Sequence, residues 1–134
     1  MKFKALILGL CVGFCATAIG ANQQFHPDAT SEEKQELKWL GYCEIEIVND
    51  SFEDLRVYGT YDNGFSMLPF YIFSFEAPHY ISLYYYGYCH RGMNLYIDTL
   101  HGWPLYAGYT PVGMTIVLSS GYGKHATVKL QPNK

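Results

Sequence analysis

Residues 43–47 read Cys43-Glu44-Ile45-Glu46-Ile47. An apolar residue at every second position marks a strand with one buried face and one wet face, because successive side chains of an extended chain point to opposite sides. The same period recurs downstream. Leu55, Val57 and Gly59 alternate with Asp54, Arg56 and Tyr58, and Met93, Leu95 and Ile97 alternate with Asn94, Tyr96 and Asp98. Met114, Ile116 and Leu118 open a further strand, and Ala126, Val128 and Leu130 mark the last one. Turn chemistry separates these runs, most strongly at Asp62-Asn63-Gly64 and again at His90-Arg91-Gly92 and His101-Gly102-Trp103-Pro104. Pro69 interrupts the apolar run 65–75 and predicts an edge strand or a break there. About eight short strands at roughly ten-residue spacing predict an all-β fold, an antiparallel β-sandwich or small barrel, over residues 42–134.

Upstream of this domain the pattern changes twice. Residues 22–41 form an N-terminal arm and a short helix. Thr30 with Glu33 three positions later fits a capping box, and Ser31 to Leu40 holds good helix formers that Leu37, Leu40 and Trp39 could dock before Gly41 stops them. Residues 1–21 have the layout of a secretory signal peptide: Lys2 and Lys4, an uncharged apolar stretch, then small residues at Ala18, Gly20 and Ala21. The stretch falls short of the roughly 20 apolar residues that span a bilayer. Cleavage is expected after Gly20 or Ala21, giving a secreted or periplasmic protein with no membrane insertion afterwards. Leu10 and Phe14 precede Cys11 and Cys15 where lipid attachment wants a small residue, which argues against a lipoprotein.

The 134 residues allow one globular domain beyond the leader, and a formal charge of −3 leaves no basic footprint for nucleic acid. Without residues 1–21 two cysteines remain, Cys43 and Cys89, and in an exported chain they are expected to form one disulfide. Both share parity with apolar neighbours, Cys43 with Ile45 and Ile47, Cys89 with Ile81, Leu83 and Tyr85. Cys89, His90 and Met93 invite a copper reading, but adjacent strand side chains point apart and the disulfide would use the sulfur. His26, His79, His101 and His125 are scattered singly and propose no zinc site. No nucleophile elbow frames a serine. Glu44 and Glu46 share an outward face expected to lie opposite Arg56, an ordinary solvated pairing. No cofactor, no metal and no enzymatic activity is therefore expected.

The feature left to explain is tyrosine: 13 of the residues. Tyr80, Tyr84, Tyr86 and Tyr88 have the parity opposite to Ile81, Leu83 and Cys89. A hairpin turning at 90–92 would set Tyr88 opposite Asn94, Tyr86 opposite Tyr96 and Tyr84 opposite Asp98. These six residues form the expected ligand-binding face, an aromatic surface with polar neighbours suited to stacking on sugars. The sequence thus points to an exported, non-catalytic binding module with a carbohydrate ligand. Its alternatives are a protein-interaction module (an inhibitor, an adhesin-like domain or an envelope assembly factor) and, further off, a small secreted hydrolase. Coverage of the strand by the helix or a loop would instead make these tyrosines structural.

Overall fold

The alternation at 44–48 becomes a strand whose burial alternates with it: Ile45 and Ile47 are sealed from solvent and Glu44 and Glu46 are not. A computed structural model describes residues 22–36, 43–121 and 125–133. One sheet contains β1 (Gln23–Gln24), β2 (Glu44–Asp50), β5 (His79–Ser82), β10 (Met114–Ser119) and β11 (Thr127–Pro132), in the order β1-β5-β2-β10-β11. A second contains β3 (Leu55–Tyr61), β4 (Ser66–Ile72), β8 (Gly92–Thr99) and β9 (Pro104–Pro111), in the order β4-β3-β8-β9. A separate hairpin joins β6 (Tyr84–Tyr85) to β7 (Tyr88–Cys89). Among the described residues the protein is all-β apart from α1 (Ser31–Glu36). Among the described residues the two larger sheets are open, each with two edge strands, so no closed barrel forms.

Ile45, Ile47 and Ile116 from the first sheet share one apolar cluster with Val57, Leu95 and Ile97 from the second. Burial of these side chains, each contributing about 1.5–3 kcal/mol, supplies the main force holding the sheets together. On the second sheet, Gly59 faces inward where a Cβ would lie 2.3 Å from the Asn94 carbonyl oxygen, so only glycine lets β3 approach β8 there. The β3–β4 register slips beside this glycine, between Val57 and Gly59. Pro69 sits in that irregular part of β4, an edge strand, where its missing N–H interrupts no ladder.

Three expectations need correction. First, the pairing is not wholly antiparallel: β2 runs parallel to β10, and β1 parallel to β5. The cause lies in the connection after β2, which crosses to the other sheet instead of folding back as a hairpin. The buried Asn49 amide fixes that crossing by donating to the carbonyls of Glu53, at 2.8 Å, and Phe73, at 3.1 Å. Second, Glu44 and Glu46 consequently lie opposite Ser82 and Tyr80 of β5, whereas Arg56 faces Asp98 and Tyr71 on the second sheet. Third, residues 80–88 are not one strand. The chain breaks at Leu83 and reverses at Tyr86-Gly87, so the hairpin expected at 90–92 does not form and β8 pairs with β3 and β9.

The capping box is present: Thr30 N–H donates to Glu33 Oε1 at 2.9 Å and Glu33 N–H to Thr30 Oγ1 at 3.1 Å. The helix's expected continuation to Leu40, with Leu37 and Trp39, lies outside the described residues, as does the signal peptide expected at 1–21. Cys43 and Cys89 are bonded, with Cα atoms 5.8 Å apart. The bond ties the start of β2 to the end of the tyrosine hairpin. Among the described residues no helix is long and apolar enough to cross a membrane.

Candidate functional site

The β6–β7 hairpin turns on two residues, Tyr86 at φ 55° and Gly87 at φ 80°. Positive φ at both central positions is the conformation that suits the twist of a two-residue hairpin, and Asn-Gly adopts it most easily. A tyrosine there is strained by about 1–3 kcal/mol and needs compensation from its surroundings. The compensation is visible. Tyr86 Oη donates to Asp28 Oδ2 at 2.6 Å and accepts from Asn63 Nδ2 at 3.1 Å, while its ring meets those of His26 and Tyr85 edge-on. The hydrogen bond to Asp28 raises the Tyr86 phenol above its ordinary pKa, so it remains a donor at neutral pH.

Behind Tyr86 runs a column of four rings. His26 stacks on Tyr85 at 3.9 Å, Tyr85 on His90 at 3.6 Å, and His90 on Tyr88 at 4.0 Å. Hydrogen bonds select the imidazole tautomers. His26 Nδ1 accepts from the Asp28 N–H at 3.0 Å, which leaves Nε2 to donate to Asn63 Oδ1 at 3.2 Å. His90 Nδ1 faces the Leu83 carbonyl at 3.2 Å and donates to it. Burial, with Asp62 nearby, pushes the Tyr85 hydroxyl up to about 12. Three rings of the column, His26, Tyr85 and His90, are buried, and its last ring, Tyr88, reaches solvent.

Between this hairpin and the N-terminal arm lies an open groove of about 400 Å³, lined by Asp28, Thr30, Glu32, Glu33, Tyr84 and Tyr86, with Gly87 at its edge. Glu33 closes it from below. Besides capping α1 it accepts the Gly87 N–H at 2.7 Å through Oε2. Burial acts to raise the Glu33 carboxyl, but the hydrogen bonds from Thr30 and Gly87 outweigh it and hold the group below its ordinary pKa. An ionised carboxylate therefore fastens the helix to the hairpin tip.

Of the six residues expected to form one face, Tyr84, Tyr86 and Tyr88 come together on this hairpin. Asn94, Tyr96 and Asp98 do not join them. The expected opposition of Tyr88 with Asn94, Tyr86 with Tyr96 and Tyr84 with Asp98 is replaced. Tyr84 faces Cys89 and Tyr85 faces Tyr88, because the chain has already reversed at Tyr86-Gly87. Asn94, Tyr96 and Asp98 instead lie on the outer face of the second sheet, opposite Thr60, Tyr58 and Arg56. There Tyr96 stacks on Tyr58 at 5.2 Å, the Arg56 guanidinium lies 4.5 Å from the Tyr58 ring centre, and Tyr58 Oη donates to Asp98 Oδ2 at 2.9 Å. That hydrogen bond is the main reason the Tyr58 phenol sits above its ordinary pKa. Arg56 and Tyr96 both pack against the Tyr58 ring, so this surface is a ladder of side chains more than a flat platform.

The site residues that escaped the sequence reading are His26, Asp28, Glu32 and Asn63 on the groove side, and Arg56 and Tyr58 on the ladder. The legible signal was the Thr30-x-x-Glu33 capping box, whose Glu33 reaches the hairpin with its second oxygen; Tyr86-Gly87, an aromatic where Asn would announce a turn, gave none.

A second groove, about 320 Å³, opens on the outer face of the first sheet between Glu44, Glu46, Tyr80, Thr115, Gln131 and Asn133. Burial, then the neighbouring Glu46 charge, push the Glu44 carboxyl up to about 7, against a hydrogen bond from Gln23. Thr115 donates to Glu46 Oε1 at 2.9 Å. Among the described residues no group of three or more His, Cys, Asp or Glu side chains is placed to hold a metal ion, and the Cys89 sulfur belongs to the disulfide. No protein-family model matches the chain, and no curated protein or solved structure is significantly similar to it.

Proposed function

We propose that this is an exported, non-catalytic binding module that holds a carbohydrate in the groove between the N-terminal arm and the β6–β7 hairpin. In this reading residues 1–21 are a cleaved signal peptide and the two sheets pack face to face as a sandwich. The observation that carries it is Tyr86: a bulky residue held at φ 55° with half its surface exposed over a groove that Asp28 and Glu32 also line. Backbone strain retained at an exposed aromatic is a recurrent mark of a functional position. A tyrosine offers an apolar face to sugar C–H groups, and the neighbouring carboxylates accept from sugar hydroxyls.

A glycan array with the mature protein tests the reading. Binding to a defined glycan class, weakened by Glu32→Ala and unaffected by Tyr96→Ala, is the expected result. Glu32 is exposed, so its truncation leaves the fold intact. A blank array, or binding that depends on Tyr96 and not on Glu32, would overturn it. One observation favours a protein partner as second reading: Tyr71 and Tyr109, both half exposed, lie on β4 and β9, the edge strands that flank the tyrosine ladder. A partner captured by wild type and lost on Tyr109→Ala would support that alternative.

A further inference from the structure

The opposite end of the molecule presents a different chemistry. The connections after β2, β4, β8 and β10 all lie there, because Leu55 pairs with Ile72 and Thr99 while Asp50 pairs with Ser119. Five large apolar side chains project from three of these loops: Phe52, Phe73, Phe75, Leu100 and Trp103, each between 50% and 80% exposed. Monomeric soluble proteins seldom group exposed apolar surface in this way without using it.

The loops are built to hold these side chains out. Ser51 Oγ donates to Asn49 Oδ1 at 2.6 Å, Ser74 Oγ to the Ser51 carbonyl at 2.6 Å, and Ser74 N–H to Asp54 Oδ1 at 2.9 Å. Glu53 accepts from the Ala126 N–H at 2.8 Å and meets His125 Nδ1 at 3.0 Å, and Trp103 stacks on that imidazole at 4.4 Å. Phe75 has φ 56°, a strained value for an aromatic, and its ring packs edge-on against Phe52 at 5.1 Å and remains outside the core.

We infer that this end docks peripherally on a neutral, zwitterionic lipid surface, with Phe52, Phe73, Phe75, Leu100 and Trp103 entering the interfacial layer. Two observations choose this occupant. The side chains stand on three loop tips, with Phe52 and Phe75 in ring contact, and do not line a socket: a groove of about 190 Å³ at this end takes in Phe52 and none of the other four. A fluid interface accepts separate protruding rings, whereas a protein partner needs a matched surface, and Trp with Phe and Leu is the composition of interfacial anchors. Charge then fixes the lipid. In sequence the four loops carry three acids, Glu53, Asp54 and Glu76, against a single Lys or Arg, Lys124. Anionic headgroups would be repelled, and attraction must come from apolar burial, which salt does not screen. The contact is made by loop tips and involves no spanning segment, and it is independent of the saccharide groove at the far end.

Co-sedimentation of the mature protein with phosphatidylcholine vesicles, and with vesicles containing an added anionic phospholipid, tests the inference. Expected are binding to phosphatidylcholine that persists at high ionic strength and weakens as anionic lipid is added. Phe52→Ser combined with Phe75→Gly should lower partitioning roughly tenfold or more. Phe52→Ser alone should leave the melting temperature unchanged, and Phe75→Gly relieves a positive φ, so both variants keep the fold. No association with phosphatidylcholine overturns the inference. So does binding that is abolished by salt or strengthened by anionic lipid, or binding that survives loss of both rings. A wild-type dimer in light scattering that the double variant dissociates overturns it in favour of self-association.

Discussion

Tyr85, on the β6–β7 hairpin, is sealed between the imidazoles of His26 and His90; Tyr96, on the outer face of the β4-β3-β8-β9 sheet, stacks on one neighbour and stays more than a third exposed. Both sit on short-period aromatic strands and look alike in sequence. The difference is in how many parts of the chain each one engages. The Tyr85 column joins the N-terminal arm to the segment leading into β8, and Tyr86 adds the β3–β4 turn through Asn63. Tyr96 serves one cross-strand pair. An aromatic that links several elements is a folding component, whereas one that serves a single pair is available for other uses.

The comparison breaks most directly at its strong end. Tyr85→Ala should cost about 3–5 kcal/mol in a urea titration, the range for emptying a large buried site. A loss near that of Tyr96→Ala would erase the distinction. Next in size is reduction of Cys43–Cys89, which closes a loop with a sequence separation of 46. On the chain-entropy picture its removal costs up to about 4 kcal/mol, read as a lower melting temperature under reducing conditions. Amides of the hairpin should lose exchange protection first, because Cys89 anchors it; earlier loss in β8 or β9 would place the anchor elsewhere.

Tyr96→Ala should cost at most about 1 kcal/mol, and a double-mutant cycle with Tyr58→Ala should return a coupling of about 0.5–1.5 kcal/mol. A coupling near zero would mean that the ladder is geometric proximity only. The smallest effect lies outside both aromatic groups, at Glu44. Its carboxyl is raised from 4.5 to about 7 in the fold, so the folded chain holds this proton more tightly than the unfolded one. Its contribution therefore declines as pH rises from about 4.5 to about 7 and is flat above that. Glu44→Gln should remove this part of the pH slope and stabilise the protein slightly at about pH 8. Half-exposure keeps the gain to the order of 1 kcal/mol or below. Greater stability of the wild type at about pH 8 would contradict the assignment.

Much of this contrast was legible before any coordinates, but unevenly. Parity sorted Ile81, Leu83 and Tyr85 inward and Tyr86 and Tyr88 outward, and these five lie as sorted, but Ser82 and His90, on the outward parity, are buried because the strand breaks at Leu83 and reverses at Tyr86-Gly87. Asp62-Asn63-Gly64 and Thr30-x-x-Glu33 carry their own local chemistry and were readable for that reason. Neighbours were not. Alternation tells which face a residue occupies and says nothing about which strand lies beside it, so the parallel pairing of β2 with β10 left no trace in the pattern. The turn at Tyr86-Gly87 stayed hidden because its strain is offset by Asp28 and Asn63, residues distant in sequence. For the same reason Asn94, Tyr96 and Asp98 were grouped with the wrong partners.

The β2–β10 pairing has a consequence for how the chain comes into being. As the polypeptide emerges from the ribosome N-terminus first, β2 is exposed early, yet its neighbour, residues 115–119, appears only after β3 to β9 have been made. Until then one side of β2 lacks its ladder, and contacts so distant along the chain form slowly because loop closure precedes any gain. The first sheet therefore cannot be completed before β10 and β11 have been made. A nascent molecule of this design stays open and accessible to chaperones until residues 114–132 have been made.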